Sequence, residues 1–364
     1  MPETKKIESI EGKQLNEFAA SEVKPEVFFE TGSKIRSAVI ADNDRLFFGN
    51  ENCEFYAIDI AAKKILWTYS ADLAVQTWPL IADGKIIFNA GNTLYILDSA
   101  NGNELHKVTY PSDKTERVSH FRFAYNDSYT AVSNGVAWFP ALDGAIVGVN
   151  IDTGGIVWTF PSEYPGYVTS GINILDDKLY YIDYSGSLCC VDIKSKQMVF
   201  RTQICENAFA PMHIDGGKIY IAGRSYKVYC IDAKSGEVIW SSFSHNDTTW
   251  FSGGSVTIGD TLYTCTSDEY ALVSFDKNNG DFRRIYSTTV NAYTKPVLHG
   301  ENIIVAATDV YSRRRSHIME FDTKNHWKLW ECRIEDGVLS SPSIYKGVLY
   351  FGSDSGKIYS VKLK

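Results

Sequence analysis

The chain has 364 residues, of which 44% are hydrophobic, and its 44 acidic and 36 basic side chains give a formal net charge of -8. That acidic balance argues against general nucleic-acid binding, because nucleic-acid-binding proteins neutralise phosphates with a basic surface. No part of the chain is long and apolar enough to cross a bilayer, so we expect no membrane span.

Residues 1–24 form the first predicted element, an N-terminal arm. They carry many charges and only sparse apolar positions, which favours a partly disordered segment ahead of one folded domain over residues 25–364. Residues 1–6 contain no apolar run that would form a signal-peptide core, so a cytoplasmic protein is expected. A leader removed before this sequence begins would restore a periplasmic or extracellular location.

Seven copies of one turn pattern follow the arm. Each copy has an acidic or amide residue at the end of a predicted strand, often a glycine four residues later, and a bulky residue eight residues later. The first residues of the copies are Asp59, Asp98, Asn150, Asp192, Asp232, Asp276 and Asp322. The bulky residues are Trp67, His106, Trp158, Phe200, Trp240, Arg284 and Trp330. Successive copies lie 39 to 52 residues apart, which is the period of a four-stranded propeller blade.

Each repeat divides into four strands, named A to D from the centre of the ring outward. In the fifth repeat the predicted strands cover residues 210–214, 218–223, 228–232 and 237–240. The acidic residue and the glycine belong to the C–D hairpin turn, since Asp bonds backbone N–H groups and Gly adopts a left-handed conformation. The bulky residue is expected to dock on the adjacent blade, where Trp can donate its indole N–H to a backbone carbonyl. The contacts made by His106, Phe200 and Arg284 are expected to be weaker or differently made.

The eighth repeat, which begins near residue 339, stops before an outer strand. Residues 26–29 match residues 237–240 position for position, with Phe29 in the place of Trp240. We therefore expect the N-terminal segment to supply strand D of blade eight and to leave no unpaired edge. The predicted fold class is all-β, an eight-bladed β-propeller with four-stranded antiparallel blades and an N-terminal strand that closes the last blade.

The repeat resembles that of the pyrroloquinoline-quinone-like (PQQ-like) family. Its Ala-x-Asp-x-x-Thr-Gly-x-x-x-Trp consensus is matched best by residues 229–240, and the resemblance covers residues 26–364. The family includes quinone-dependent dehydrogenases, the propeller lipoprotein of the outer-membrane assembly machine, and scaffolds of unknown role. The resemblance therefore implies a fold and leaves the function open.

Adjacent Cys189 and Cys190 are the sharpest enzymatic candidates, because quinoprotein alcohol dehydrogenases of this family hold a vicinal disulfide over their cofactor. Both cysteines lie in a predicted strand, where successive side chains point to opposite faces, so we expect core packing and seven free thiols. The sequence has no acidic metal loop, no Gly-x-Ser-x-Gly elbow and no phosphate-binding loop, and its histidines are scattered singly. We therefore predict no catalytic residue, no cofactor and no metal site.

Two basic insertions interrupt the repeat and are the predicted partner-binding site. The link from blade two to blade three, taken as residues 106–123, contributes Lys114, Arg117 and Arg122. The B–C loop of blade seven contributes Arg313, Arg314 and Arg315. Because D–A links and B–C loops emerge at the same end of a propeller, both insertions face one way and would steer an anionic partner. The alternative is that these side chains are solvated or pair with neighbouring acids.

These observations favour a non-enzymatic scaffold whose partner is a protein. The alternative is a small-ligand or quinone site, or an enzyme, in the central channel. A third hypothesis, assembly of envelope proteins, follows from the family and requires export from the cytoplasm.

Overall fold

The computed structural model describes residues 21–113, 129–162, 168, 170–204, 211–223, 226–244, 247–312 and 314–364. Within these residues the regular structure consists of β-strands in eight sheets, and these form an eight-bladed propeller. Seven sheets have four strands and the sheet of blade seven has five. The predicted fold class is confirmed.

Blades one to four follow one another along the chain, each with its strands in the order A to D. Blade one consists of Ile40–Asp42, Arg45–Gly49, Glu54–Asp59 and Lys64–Ser70, and blade two of Leu80–Ala82, Lys85–Ala90, Thr93–Asp98 and Glu104–Thr109. Blade three consists of Ala131–Ser133, Val136–Pro140, Ile146–Asn150 and Ile156–Phe160, and blade four of Asn173–Leu175, Lys178–Ile182, Ser187–Asp192 and Gln197–Gln203.

Blades five to eight repeat this order, and the last two also take strands from the N-terminal segment. Blade five consists of His213–Asp215, Lys218–Ala222, Lys227–Asp232 and Val238–Phe243, and blade six of Phe251–Ile258, Thr261–Thr266, Ala271–Asp276 and Phe282–Ser287. Blade seven consists of Val297–His299, Asn302–Thr308, Ser316–Asp322 and Trp327–Ile334, with Ser21–Glu22 as a fifth strand. Blade eight consists of Ser343–Tyr345, Val348–Gly352, Lys357–Lys362 and Glu26–Glu30.

The core lies between the blades. Strands B and C bury nearly all their side chains because both faces of each sheet pack on a neighbouring sheet. Phe55 of blade one stacks on Phe88 of blade two with ring centroids 4.4 Å apart. Strands A of neighbouring blades contact one another around the central channel, for example those of blades five and six.

The layered packing explains why Cys189 and Cys190 are adjacent in the sequence and yet do not bond to each other. Cys189 and Cys190 lie in strand C of blade four, and their side chains enter different core layers, toward blades three and five respectively. Burial raises the pKa of Cys189 to about 12 and that of Cys190 to about 11. The described cysteines are free thiols, as predicted, and Cys205 lies outside the described residues.

The C–D turns have the predicted chemistry. In blade five, Asp232 Oδ1 accepts the N–H groups of Lys234 and Ser235 at 2.9 and 2.8 Å. Gly236 has φ +74°, and a Cβ there would lie 2.4 Å from Phe200 Cδ2 of blade four. The turn glycine thus allows both the left-handed conformation and the close approach of a strand D side chain from the preceding blade.

Bulky strand D residues contact the C–D turn of the next blade. The indole N–H groups of Trp67 and Trp240 donate to the carbonyls of Ser99 and Lys277, both at 3.2 Å. A ring nitrogen of His106 lies 2.9 Å from the carbonyl oxygen of Asp152. The contact of His106 is therefore differently made, as expected.

The N-terminal strand Glu26–Glu30 pairs antiparallel with Lys357–Lys362 and completes blade eight. The closing strand is confirmed, but its predicted register is wrong. Glu26 pairs with Ser360, which corresponds to Cys230 in strand C of blade five. Because Cys230 pairs with Trp240, the position of Trp240 is occupied by Glu26 and not by Phe29. The pairing with Lys357–Lys362 and a β-bulge at Phe28 set the register, and neither can be predicted from the similarity of residue types alone.

Glu26 therefore takes the position of the bulky docking residue. It forms an ion pair with Lys63 in the C–D turn of blade one, and the Lys63 ammonium lies 5.3 Å from the centroid of the Phe28 ring. Phe28 is buried in the layer between blades eight and one, with its ring 5.4 Å from that of Tyr350. The ring thus closes through burial of the Phe28 side chain and an ion pair between Glu26 and Lys63.

Ser21–Glu22 adds a parallel fifth strand to the outer edge of blade seven, next to Trp330 and Glu331. The N–H of Val23 donates to the carbonyl of Glu331 at 2.9 Å, and its side chain packs in the layer between blades seven and eight. The N-terminal segment therefore binds two successive blades, which the sequence did not indicate.

Candidate functional site

The B–C turns and the D–A links share one end of the ring, which we call the B–C face. Adjacent elements of this face are bonded to each other. In blade six, the B–C turn residue Asp268 accepts the N–H of Trp250, from the preceding link, at 2.8 Å, and Ser267 donates its N–H to the carbonyl of Trp250 at 3.0 Å. The two kinds of loop thus form one continuous surface.

The B–C loop of blade seven is held by Asp309. Its carboxylate accepts the N–H groups of Tyr311 and Ser312 at 3.2 and 3.3 Å and the Ser312 hydroxyl at 2.8 Å. These hydrogen bonds, with that of the Ser312 side chain largest, hold the pKa of Asp309 below its usual range. Asp309 therefore fixes the backbone of residues 309–312, the first part of the loop.

Two of the predicted binding residues, Arg314 and Arg315, are exposed on this loop. Arg315 makes one long ion pair with Asp309, at 3.9 Å, whereas Arg314 makes no ion pair with any described residue. The other four, Arg313, Lys114, Arg117 and Arg122, lie outside the described residues.

The first insertion begins later in the chain than predicted. His106 and Lys107 lie in strand D of blade two, Glu104–Thr109, and the Lys107 ammonium forms an ion pair with Asp72 at 2.8 Å. The predicted boundary at residue 106 is therefore wrong, because the alternating strand continues to Thr109 before the link leaves the sheet.

Exposed tyrosines are the site residues that sequence reasoning missed. Tyr226, Tyr270 and Tyr311 lie in the B–C turns of blades five, six and seven and are 37%, 41% and 87% exposed. Tyrosine and arginine are the side chains enriched at the centres of protein interfaces. An alignment of the B–C turns of the repeats, like that of the C–D turns, would have found these tyrosines.

Two of these tyrosines have a backbone conformation that bulky residues avoid. Tyr226 and Tyr270 directly precede strand C with φ of +67° and +52°. Gly186 and Gly356 occupy that place in blades four and eight, and Cys53 occupies it in blade one. A left-handed bulky residue is an outlier that costs roughly 1 to 2 kcal/mol relative to glycine.

Trp250 lies in the link between blades five and six. Its ring stacks on Tyr226 with centroids 6.5 Å apart and an angle of 27°. We call Tyr226, Trp250, Tyr270 and Tyr311 the aromatic row. The row crosses three consecutive blades and ends at the basic loop.

A half-buried carboxyl group supports the middle of the row. Glu269 precedes Tyr270 and accepts hydrogen bonds from the hydroxyls of Ser244, at 3.1 Å, and Thr249. Burial, opposed by the hydrogen bond from Ser244 and helped by the charge of Asp268, raises the pKa of Glu269 to about 7. These contacts tie the blade-six turn to the link that carries Trp250.

On another sector of the B–C face, a buried arginine joins blades eight, one and two. The guanidinium of Arg36, whose side chain is 3% exposed, bonds to Glu51 at 2.9 Å and to Asp354 at 3.1 Å. The amide of Gln76 reaches the same Glu51 at 3.3 Å. The Lys34 ammonium also lies 3.4 Å from Glu51, so two cations balance the two carboxylates, and the network belongs to ring closure.

The described residues contain no group of three His, Cys, Asp or Glu side chains arranged to hold a metal ion. The same part of the chain contains no helix with the length and hydropathy needed to cross a membrane.

Comparison with known proteins gives a family match over nearly the whole chain. The model of the PQQ_2 family, described as outer membrane protein assembly factor BamB, matches residues 8–242 and 142–364. The outer membrane protein assembly factor BamB of Moranella endobia is 24% identical over 294 residues, which are 76% of this chain and 71% of that protein.

Two solved structures show how widely the fold is shared. BamB from Moraxella catarrhalis has a TM-score of 0.70 at 14% identity, covering 92% of this chain and 99% of the other. A europium-containing methanol dehydrogenase also has a TM-score of 0.70, at 12% identity, covering 89% of this chain and 84% of the other. An assembly factor and an enzyme thus have the same architecture, so these likenesses establish the fold alone.

The prediction of a cytoplasmic location is wrong, because the matched relatives carry the name of an outer membrane protein assembly factor. It rested on the lack of an apolar run in residues 1–6, and the first residues of this sequence do not report on location. Since the family match extends over residues 8–364, the chain belongs to the PQQ_2 family, the family of the outer membrane protein assembly factor BamB.

Proposed function

We propose that this protein is a non-enzymatic scaffold that binds a protein partner through the B–C face, as a component of an outer membrane assembly machine. The matched relatives are named for that assembly, which is the basis for this part of the proposal. The proposed contacts are the aromatic row and the basic side chains Lys114, Arg117, Arg122, Arg313, Arg314 and Arg315.

The observation that carries the proposal is the conformation of Tyr226 and Tyr270. At this place blades four and eight use glycine, which has no steric penalty, and blade one uses the small residue Cys53, whereas the tyrosine rings are bulky and remain 37% and 41% exposed. A strained conformation that exposes an aromatic ring instead of burying it is typical of a residue kept for binding.

A scaffold must also hold its loops in fixed relative positions. We propose that the contacts of Trp67, Trp240 and His106 with the next C–D turn act as docking devices that fix neighbouring blades. Tyrosines on separate blades would then reach a partner as one preorganised surface, which lowers the entropy cost of binding.

Changing Tyr226 and Tyr270 together to glycine tests the proposal. The variant should unfold at the same or a higher temperature, since relief of about 1 to 2 kcal/mol of left-handed strain per site offsets the roughly 0.5 to 1 kcal/mol that glycine costs in backbone entropy. Recovery of the partner from a detergent extract of the native envelope should fall at least about tenfold, the effect of losing one interface hot spot. Quantitative mass spectrometry measures the recovery.

Trp327→Ala is the matched control, because Trp327 is 37% exposed at the opposite end of the ring. Changing Arg313, Arg314 and Arg315 to serine should leave stability within about 0.5 kcal/mol and weaken binding mainly at low salt. Equal recovery by the tyrosine variant and the wild type would rule out the aromatic row. Loss of recovery in the Trp327 variant alone would move the interface to the other end.

A further inference from the structure

In seven of the eight described sheets, strand D is the outermost strand, and its backbone pairs with a neighbour on one side only. Blade seven differs, because Ser21–Glu22 pairs parallel with Trp330 and Glu331 of its strand D. The N–H of Val23 then donates to the carbonyl of Glu331 at 2.9 Å. The chain itself therefore shows that an extended segment can add to a strand D of this ring.

The β-bulge of strand D shows what such a segment covers. The bulge residue is skipped in the pairing with strand C, and it is Leu329 in blade seven, Val157 in blade three and Val199 in blade four. Leu329 is half-buried and packs, as Val23 does, in the layer between blades seven and eight. Val157 and Val199 have no added strand and are 45% and 44% exposed. An uncovered edge therefore leaves an aliphatic side chain in water at the bulge.

The strand D of blade three, Ile156–Phe160, lacks the charges that usually protect such an edge. Among the described outer strands, only that of blade five, Val238–Phe243, is also free of charged residues. Blade five exposes one large aliphatic side chain on this strand, Ile239, whereas blade three exposes two adjacent ones, Ile156 and Val157. Charged side chains on an edge oppose the addition of another strand. Blade three therefore has the least protected outer edge among these strands.

The inner side of this strand is firmly packed. The Trp158 ring lies edge-on to that of Trp138 in strand B, and edge-on to that of Phe160, with centroids 5.6 Å apart in both pairs. Both Trp158 and Phe160 pack in the layer between blades three and four. The edge is therefore held in place before any partner arrives, so that only the incoming segment loses conformational freedom on binding.

We propose that the outer edge of blade three, Ile156–Phe160, binds an extended segment of a partner protein by strand addition. The backbone of the segment pairs with that of strand D, as Ser21–Glu22 does on blade seven, and its apolar side chains cover Val157. A segment of alternating apolar and polar residues fits this edge, because successive side chains of a strand point to opposite faces. The site lies outside the B–C face and does not depend on the proposed function of that face.

A second copy of this chain is a poor occupant of the same edge. Five strand residues span about 17 Å, which is too short to bury the roughly 1,200 Å² of a stable protein interface. Two copies with a net charge of -8 also repel each other. A flexible segment of another protein meets neither obstacle.

A fluorescein-labelled peptide of four Val–Thr pairs with one lysine at each end tests the site by fluorescence anisotropy. The wild type should bind the peptide, and amide hydrogen exchange of residues 156–160 should slow when the peptide is added. Val157→Lys should weaken binding about tenfold, the effect of losing one buried aliphatic contact. The same peptide with every backbone amide N-methylated cannot donate hydrogen bonds to the edge and should not bind.

Val199→Lys is the matched control, because Val199 is the bulge residue of blade four and is exposed to the same extent. This variant should bind the peptide as the wild type does. Val157→Ala should weaken binding severalfold, so the test survives if the lysine variant does not fold. Unchanged exchange at residues 156–160, equal binding of the N-methylated peptide, or equal weakening by the two lysine variants would overturn the proposal. Dimerisation that Val157→Lys abolishes, seen by sedimentation equilibrium, would also overturn it by assigning the edge to a second copy.

Discussion

Removal of residues 1–32 is expected to lower the melting temperature by roughly 10 °C or more. Burial of Phe28 alone is worth about 3 to 5 kcal/mol, and the hydrogen bonds of the outer strand of blade eight are lost with it. Removal of residues 1–20 should leave the midpoint close to that of the full chain, since it keeps both Ser21–Glu22 and Glu26–Glu30. Differential scanning calorimetry measures the two midpoints.

A third truncation, after residue 24, separates the two contacts of the N-terminal segment. It removes the short parallel strand on blade seven and keeps the strand of blade eight, so its midpoint should lie near that of the 1–20 deletion. Equal midpoints for the 1–20 and 1–32 deletions would mean that Glu26–Glu30 does not close the ring.

Arg36→Ala is expected to destabilise the ring by about 3 to 5 kcal/mol, the effect of removing one partner from a buried ion pair. Asp354 would keep a largely buried carboxylate without its guanidinium, and Glu51 would lose its closest cation. The Arg36 side chain bridges blade eight and blade one, where the chain closes, so its removal weakens the junction itself. Urea unfolding at pH 7, followed by tryptophan fluorescence, measures the change.

Arg333→Ala is the control for this prediction. Arg333 also pairs with a glutamate, at 3.1 Å, but its side chain is 66% exposed, so its loss should cost less than about 1 kcal/mol. Similar destabilisation by the two variants would show that burial of Arg36 adds nothing to the closure of the ring.

The architecture could be predicted from the sequence because the repeat encodes turn chemistry. An acid such as Asp232 and a glycine such as Gly236 fix each C–D hairpin locally, and their spacing counts the blades without knowledge of contacts. The closing strand could also be predicted, because an outer strand was missing at the C-terminal end of the repeat series.

The register of the closing strand could not be predicted in the same way. Residues 26–29 resemble a strand D in several alignments, and only pairing of Glu26 with Ser360 selects one. The start of the first insertion was misplaced for a related reason, because His106 and Lys107 read equally well as strand or loop.

The candidate site was predicted only in part. A run of arginines is visible in the sequence, whereas the strain at Tyr226 and Tyr270 depends on backbone angles. Tyrosine is common throughout this chain, with 22 copies, so composition cannot separate exposed rings from buried ones such as Tyr220.

Site-specific photocrosslinking in the native cell tests the proposed scaffold function most directly. A photoreactive phenylalanine analogue replaces Tyr270, Tyr311 or, at the opposite end, Trp327, and adducts are identified by mass spectrometry. A B–C interface predicts one discrete protein adduct shared by positions 270 and 311 and absent from position 327. Its yield should fall when the three loop arginines become serine. Adducts at position 327 with none at 270 and 311, or no protein adduct at any position, would contradict the account.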